Sequence, residues 1–273
     1  MIAKAFAPGN LSCIFKIIEN KDPAKMHSLG VGFSVDKGTI VSVSKNKKTN
    51  IIFNNKKIRF PTVESVIKKL TNKKIKANIS SDLPLGVGFG MSGASSLATA
   101  YALNKLLKLK KTKKELAKIT HIAEVENRTG LGDIASQFNG GFLMKTKKGN
   151  PLEVERLNIK NKNIYYKVFS KIDTKKVITN KKIKPKINKA ADKALNKIKK
   201  LKNPQLKDII NISKGFAINS GLLNNKKMIN LMKRIEENNG TTSMIMLGNA
   251  VFSDKKFKGC KKIRISYKKA CLL

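Results

Sequence analysis

The amino-acid sequence predicts an α+β protein, and three observations support this prediction. Short apolar runs typical of strands recur through the first 80 residues. Apolar residues at helical spacing follow a glycine-rich segment near residue 90 and, again, a capping-box sequence at Thr112. A further apolar run near residue 165 precedes three stretches of helical pattern. With 273 residues, the chain is long enough for two domains of ordinary size.

The first part of the chain combines predicted strands with three predicted helices. Strands are expected at residues 2–7, 14–18, 38–43, 51–53, 75–79 and 142–145. The first helix is expected over residues 61–70, and the second follows the glycine-rich segment. The third begins at Thr112, because Thr112 and Glu115 have the spacing of a capping box.

The composition shifts towards Lys and Asn from about residue 151. A strand is predicted over residues 163–169, and helices are predicted over residues 186–201, 205–218 and 225–238. We therefore predict one domain over residues 1–150 and a second over residues 151–273.

The net charge of +41 would ordinarily indicate a nucleic acid or an anionic membrane as the partner. Most of the cations are Lys residues spread along the whole chain, Trp is absent, and aromatic residues make up 6% of the sequence. Nucleic-acid recognition usually brings Arg and interleaved aromatic side chains. We therefore expect only a weak, non-specific and salt-sensitive attraction to nucleic acids.

Composition also argues against several other kinds of protein. The three cysteines are widely spaced, which argues against a disulfide framework or a cysteine-based metal site. No apolar run approaches the roughly 18 residues of a membrane span, and the first residues lack the apolar segment of a secretion signal. We therefore expect a cytoplasmic protein with no membrane partner.

The segment PLGVGFGMSGASS at residues 84–96 is typical of a phosphate-binding loop. Glycines let the backbone approach an anion closely, and the N-terminus of the helix that follows attracts negative charge. A Walker loop is excluded because Met91 stands where that motif needs Lys. A dinucleotide fold is disfavoured because Glu115, at about the right distance, begins a helix rather than ending a strand.

Acidic residues are scarce, yet Glu124, Glu126 and Asp133 fall within ten positions of the sequence. Phosphoryl transfer needs carboxylates of this kind, both to hold the metal ion and to orient the acceptor hydroxyl. The alternative for the two glutamates is pairing with Lys on an exposed helix face. Asp133 follows the turn sequence TGLG, which favours a carboxylate aimed into a cleft.

Together these motifs resemble a known superfamily of small-molecule kinases. Residues 84–96 are similar to the second motif of the GHMP kinases, PxxxGLGSSAA. Four further segments are similar to motifs of the archaeal pantoate kinase branch: AFAPGN at 5–10, HSLGVGFSVDKG at 27–38, AEVENRTGLGD at 123–133 and GTTSMIMLGNAVFS at 240–253. The resemblance implies ATP-dependent phosphorylation of pantoate by a homodimer. It also implies a two-domain fold, with an N-terminal domain like domain 2 of ribosomal protein S5 and a ferredoxin-like C-terminal domain.

The resemblance implies a role for each matching residue. The ATP phosphates would be bound by the glycine loop, comprising Pro84, Gly86, Gly88, Gly90, Met91, Ser92, Gly93 and Ala94. Mg²⁺ would be bound by Ser92 and Glu124, with Glu126 as the alternative to Glu124. Asp133 would be the catalytic residue that contacts the substrate hydroxyl, as a base or as a positioning group.

Other residues would bind the substrate or assist catalysis. Asn10, Ser28 and Gly30 are substrate-binding candidates, the latter two in a predicted loop of small residues. Many members of the superfamily have Lys at the position of Asn10. A neighbouring Lys would lower the pKa of Asp133 and keep it ionised, whereas the neutral Asn10 does not. Arg128 would supply the missing charge or bind the substrate carboxylate, and a simple surface Arg is the alternative.

A motif near the C-terminus is expected to support the site, and two alternatives to the implied function are kept. Residues 240–248 resemble the third superfamily motif, which packs against the phosphate loop, but they have fewer glycines, so Gly240 is expected only to support the site. Another small alcohol, such as homoserine, shikimate or mevalonate, stays open as the acceptor. A basic nucleic-acid-binding protein on the same scaffold is the alternative of a different class.

Overall fold

The computed structural model describes residues 1–159 and 162–273 and contains two sheets with helices packed against them. The strands are β1 (Ala3–Ile18), β2 (His27–Lys45), β3 (Asn50–Phe53), β4 (Lys56–Lys57), β5 (Ile75–Ser81), β6 (Phe142–Lys145), β7 (Glu155–Arg156), β8 (Asn163–Ser170), β9 (Thr242–Met244), β10 (Asn249–Ser253), β11 (Lys261–Arg264) and β12 (Cys271–Leu272). The helices are α1 (Pro61–Leu70), α2 (Met91–Leu107), α3 (Lys113–Glu126), α4 (Asp133–Asn139), α5 (Thr174–Ile178), α6 (Lys184–Lys199), α7 (Leu206–Asn219) and α8 (Lys226–Glu237). The α+β prediction is confirmed.

The first sheet has the strand order β12-β1-β2-β5-β3-β4, with β6 beside β2 and β7 beside β6. Its pairs are antiparallel except for the parallel pair β3 and β5. Strand β1 is one continuous strand of 16 residues with register shifts after Pro8 and Ser12. The prediction of two separate strands, at 2–7 and 14–18, was therefore wrong about the gap between them.

The predicted small-residue loop at Ser28 and Gly30 is also wrong, because both residues lie within β2. A Cβ atom at Gly30 would overlap the carbonyl oxygen of Ile14 on β1. The glycines of this segment therefore permit close approach of the two strands, which is a role that sequence alone does not separate from that of a flexible loop.

Helix α2 is the central helix of the first layer, packed on β1 and β2 and flanked by α1 and α3. Its sequence GASSLATAYA keeps side chains small, so the helix is buried on nearly every side. The predicted capping box at the start of α3 is confirmed by hydrogen bonds in both directions between Thr112 and Glu115. This packing places the starts of α2 and α4 next to each other.

The second sheet has the strand order β11-β8-β10-β9 and is accompanied by α6, α7 and α8. The three helices predicted for this region lie within two residues of their expected bounds, whereas strands β9 to β12 were not predicted. Helices α6 and α7 also pack on β1, and β12 returns to pair with β1. The boundary at residue 150 stays a prediction.

Two expectations about composition can be compared with the structure. Cys13, Cys260 and Cys271 are all free thiols. None of the described helices has both the length and the apolar character needed to span a lipid bilayer.

Candidate active site

The glycine loop joins β5 to α2 and lines a cleft of about 340 Å³. Gly86, Gly88 and Gly90 have φ angles of 77°, 87° and 60°, a region that favours glycine. Backbone hydrogen bonds tie the loop down at both ends: Ile172 N–H donates to Gly86 O, and Asn10 N–H donates to Phe89 O, each at 3.0 Å. The loop is therefore a fixed structure with an open side.

The C-terminal motif packs against this loop, as its resemblance to the third superfamily motif implies. A Cβ atom at Gly88 would lie 2.7 Å from both Ile245 Cγ2 and the Met246 carbonyl oxygen. A Cβ atom at Gly248 would overlap the Val87 carbonyl oxygen. Glycine at 88 and at 248 is required for this contact, whereas Gly240 lies against Ile235 and Lys255, away from the loop.

Helix α2 begins at the cleft without any side-chain cap. Gly90 is its N-cap residue, so the N–H groups of the first turn face the open side of the loop. Met91 and Ser92 line the cleft there. Free N–H groups at the start of a 17-residue helix favour a bound anion.

The other predicted loop residues lie outside the cleft lining. Pro84 is exposed at the beginning of the loop. Gly93 and Ala94 are buried, Gly93 against Ile134 and Asp133 of α4, and the Ala94 N–H donates to the Gly90 carbonyl. The structure thus gives Gly93 and Ala94 packing contacts.

A cluster of hydroxyl groups surrounds the Glu124 carboxylate. Ser92 Oγ and Thr129 Oγ1 each donate to Glu124 Oε1 at 2.7 Å. Thr62 Oγ1, on α1, lies 3.2 Å from Ser92 Oγ and 3.1 Å from Thr129 Oγ1. Glu124 is only 1% exposed, and its Oε2 atom has no hydrogen-bond partner among the described residues. Glu126 instead pairs with Lys69 on the surface.

Asp133 begins α4 beside the same cleft. Its Oδ1 atom accepts a hydrogen bond of 2.9 Å from Asn10 Nδ2. A Cβ atom at Gly130 would overlap Glu124 Oε2 and lie 2.8 Å from Asp133 Oδ2. Because these two oxygens flank the same glycine, the free sides of both carboxylates face one space.

Burial controls the ionisation of both carboxylates. The pKa of Glu124 is raised to about 7, mainly by burial and further by Asp133, against the hydrogen bonds from Ser92 and Thr129. Burial also raises the pKa of Asp133, and the hydrogen bond from Asn10 opposes this rise. A cation bound at Glu124 Oε2 would favour the ionised form of Glu124.

The substrate-binding candidates occupy different environments. Ser28 and Gly30 line a small cavity of about 50 Å³ together with Lys145 and with Gly132, the residue before Asp133. Lys145 is 8% exposed, and its Nζ donates to the carbonyls of Asn150 and Glu153 at 2.6 and 2.9 Å. Asn10 is buried, and both polar atoms of its side chain have partners within the protein.

Arg128 is exposed and lines the cleft of the glycine loop, with a φ angle of 56° at the end of α3. The sequence analysis did not predict Thr62 and Thr129 of the hydroxyl cluster around Glu124, or Gln137, which contacts Asn10. Thr129 stands within the motif that was recognised, and its hydroxyl was a signal that could have been used. Thr62 and Gln137 carry no local signal, since their partners are distant in the sequence.

A glycine loop at the start of a helix, with Asp133 lining the same cleft and a second carboxylate, Glu124, buried against Ser92, is the arrangement of a phosphotransferase site. The family described as the GHMP kinases N-terminal domain matches residues 58–141. A pantoate kinase of Methanocaldococcus jannaschii is 38% identical over 90% of this chain and 90% of its own. A pantoate kinase of Methanospirillum hungatei is 31% identical over 91% and 86%.

The chain belongs to the GHMP kinases, in the pantoate kinase family, as these similarities along most of its length show. The solved structure of a phosphotransferase related to the CoA biosynthesis pathway has a TM-score of 0.87. The match covers 100% of this chain and 98% of that one at 23% identity, which demonstrates a shared fold. The GHMP kinase fold expected from the motifs is confirmed.

Proposed function

We propose that this protein transfers the γ-phosphoryl group of ATP to the 4-hydroxyl group of (R)-pantoate, forming (R)-4-phosphopantoate for coenzyme A biosynthesis. The observation that carries the proposal is the site itself, in a chain that is similar to pantoate kinases along 90% of its length. The matches to a homoserine kinase and a mevalonate kinase cover 39% and 28% of this chain. Pantoate is therefore favoured over the other alcohols.

The nucleotide phosphates are proposed to bind along the glycine loop and the first turn of α2. The open side of this loop carries backbone N–H groups, and the helix dipole adds partial positive charge. Arg128 and Lys175 line the same cleft and bring full positive charges. The backbone N–H donors are in place before the nucleotide arrives, so they would stabilise charge on the transferred phosphoryl oxygens at little cost in reorganisation.

Mg²⁺ is proposed to bind at Ser92 and Glu124. The residues fit such an ion, since Glu124 Oε2 is a buried oxygen without a partner among the described residues and Ser92 supplies a hydroxyl oxygen beside it. When bound, the ion would neutralise charge that develops on the nucleotide phosphates.

The acceptor alcohol is proposed to lie between Asp133 and the small cavity. Asp133 Oδ1 is occupied by Asn10, which leaves Oδ2 to accept the hydrogen bond of the pantoate hydroxyl. The pantoate hydroxyl oxygen then attacks the γ-phosphorus, and its proton passes to Asp133. ADP leaves with the electron pair of the broken P–O bond. Lys145 and Ser28 are proposed to bind the pantoate carboxylate, since they line the adjacent cavity with Gly30. Asn10 is proposed to act through Asp133.

A panel of hydroxy acids with ATP tests this function. ³¹P NMR of the products should show phosphorylated pantoate formed fastest, with homoserine, shikimate and mevalonate turned over far more slowly. Equal or faster turnover of another alcohol would remove pantoate as the substrate. Tight nucleic-acid binding at physiological salt by a protein without kinase activity would favour the other class of function. A cytoplasmic homodimer stays a prediction, which sedimentation analysis and localisation of a tagged chain would check.

A further inference from the structure

A buried glutamine connects the glycine loop to the catalytic aspartate. Gln137 lies one turn after Asp133 on α4 and has no solvent exposure. Its Nε2 atom donates to the Gly90 carbonyl at 2.7 Å and to Asn10 Oδ1 at 3.0 Å. Asn10 Nδ2 in turn donates to Asp133 Oδ1 at 2.9 Å. The series runs from the N-cap of α2 to the carboxylate.

The direction of every hydrogen bond in this series is fixed by its first member. A backbone carbonyl such as that of Gly90 only accepts, so the Gln137 atom beside it is the NH₂ group. The same NH₂ group contacts Asn10, so the Asn10 atom on that side is the oxygen. The Asn10 NH₂ group is therefore directed at Asp133.

We infer that Gln137 is a positioning residue for the proposed phosphoryl transfer, because it holds the Asn10 amide with its NH₂ group towards Asp133. This inference rests on the proposed function for its catalytic consequence. A rotated Asn10 amide would present its oxygen to the carboxylate and repel it. Gln137 prevents this rotation, and it also couples the conformation of the glycine loop at Gly90 to the orientation of Asp133.

Substitutions of Gln137 test the inference through kcat and KM. Gln137→Met keeps the length of the side chain and removes both donors, so kcat should fall about tenfold while both KM values change less than about threefold. Gln137→Glu supplies a carboxylate that accepts but does not donate, so Asn10 turns its NH₂ group away from Asp133. Its kcat should fall about 100-fold. Gln137→His retains a donor and should recover part of the loss in Gln137→Met.

Asn139→Met is the matched control, because Asn139 is an amide on the same helix that donates to the Ala135 and Leu152 carbonyls and does not contact Asp133. Its kcat should stay within about twofold of the unmodified chain. A kcat loss equal to that of Gln137→Met would reduce Gln137 to a structural support of α4 and overturn the inference. So would an unchanged kcat in both Gln137→Met and Gln137→Glu.

NMR of the unmodified protein tests the series without any substrate. The Asn10 side-chain amide signal, assigned by its loss in Asn10→Asp, should show slow hydrogen exchange and should shift in Gln137→Met. Rapid exchange in the unmodified protein would overturn the inference, even where the variants do not fold. Absence of pantoate turnover in the unmodified protein would remove the proposed function instead, and the amide measurement would still decide the arrangement of Asn10.

Discussion

The two carboxylates of the site are held by different chemistry. Glu124 accepts hydrogen bonds from the hydroxyl groups of Ser92 and Thr129 through one oxygen, while its other oxygen has no partner among the described residues. Asp133 is held by the planar amide of Asn10. A hydroxyl group rotates freely and both donates and accepts, whereas a planar amide has fixed donor and acceptor sides.

We propose that this difference separates two tasks within one small space. The hydroxyl side, formed by Glu124 with Ser92 and Thr129, would adapt when the charge near Glu124 changes, as binding of a cation requires. The amide side, formed by Asp133 with Asn10, would keep one orientation of Asp133, as positioning of an acceptor requires. Variants that disrupt one side at a time test this division.

Asp133→Asn breaks the amide side and has the largest expected effect. An amide in place of the carboxylate removes the acceptor of the substrate proton, so kcat should fall about 1,000-fold. Binding of Mg²⁺ and ATP should change less than about threefold. Steady-state kinetics and calorimetry measure the two quantities. Asp192→Asn, at an exposed residue paired with Lys16, is the control and should behave like the unmodified protein.

Near-normal turnover by Asp133→Asn would mean that the acceptor binds elsewhere. A loss of nucleotide binding as large as the loss of kcat would mean that both carboxylates serve the metal ion, and the division into two sides would fail.

Glu124→Gln breaks the hydroxyl side. The amide retains an oxygen for Ser92 and Thr129 but loses the charge, so the apparent affinity for Mg²⁺ should fall about 100-fold. Glu126→Gln is the matched control, because Glu126 lies two residues away on α3 but pairs with Lys69 at the surface. Magnesium titrations of kinase activity compare the two variants. A larger effect of Glu126→Gln on the Mg²⁺ affinity would show that Glu126, and not Glu124, binds the metal ion.

The pH dependence of stability sharpens the description of Glu124. The pKa of this carboxyl is about 7 in the folded protein and 4.5 in its ordinary state, so the folded state binds more protons between these values. Without Mg²⁺, stability should therefore fall as pH rises from 4.5 through 7, by about 3 kcal/mol from this group. Glu124→Gln should lack this decrease.

Urea unfolding in EDTA at pH 5 and pH 8 measures the difference. The difference between the two pH dependences reports the titration of Glu124 together with its coupling to Asp133. If the stabilities of the unmodified protein and of Glu124→Gln changed equally with pH, Glu124 would be ionised at neutral pH even without a metal ion. The proposal that the hydroxyl side adapts to a change of charge at Glu124 would then be wrong.

Local signals allowed much of this structure to be predicted from the sequence. The capping box of Thr112 and Glu115 fixes the start of α3 over four residues. The glycine spacing at 86, 88 and 90 likewise identified a loop in which each of these three glycines has a positive φ angle. Each of these features depends on residues that are close together in the chain, so a local sequence pattern is enough to predict it.

The features that were missed depend on distant contacts. Gly30 permits two strands to approach, and the carbonyl that requires it belongs to Ile14 on another strand. Gln137 lies 127 positions from Asn10, and no spacing rule connects the two. The contacts of Gln137 and Asn10 with the Asp133 turn could therefore not be predicted from the sequence, whereas the catalytic role of Asp133 stays a prediction.

Thr62→Val gives the smallest effect and tests how far the hydroxyl side extends. Thr62 is fully buried, and its hydroxyl lies between those of Ser92 and Thr129, which both donate to Glu124. Valine keeps the shape but leaves the two hydroxyls without this neighbour, so the apparent Mg²⁺ affinity should fall about fivefold, with little change in kcat at saturating Mg²⁺.

Thr120→Val is the control for Thr62→Val, since Thr120 is equally buried on α3 but donates to the Leu116 carbonyl of its own helix. Its magnesium dependence should equal that of the unmodified protein. Equal magnesium dependence in Thr62→Val as well would confine the hydroxyl side to Ser92 and Thr129. Only the rotating hydroxyl groups of Ser92 and Thr129 would then distinguish the hydroxyl side from the amide side, and α1 would contribute to the site only by packing.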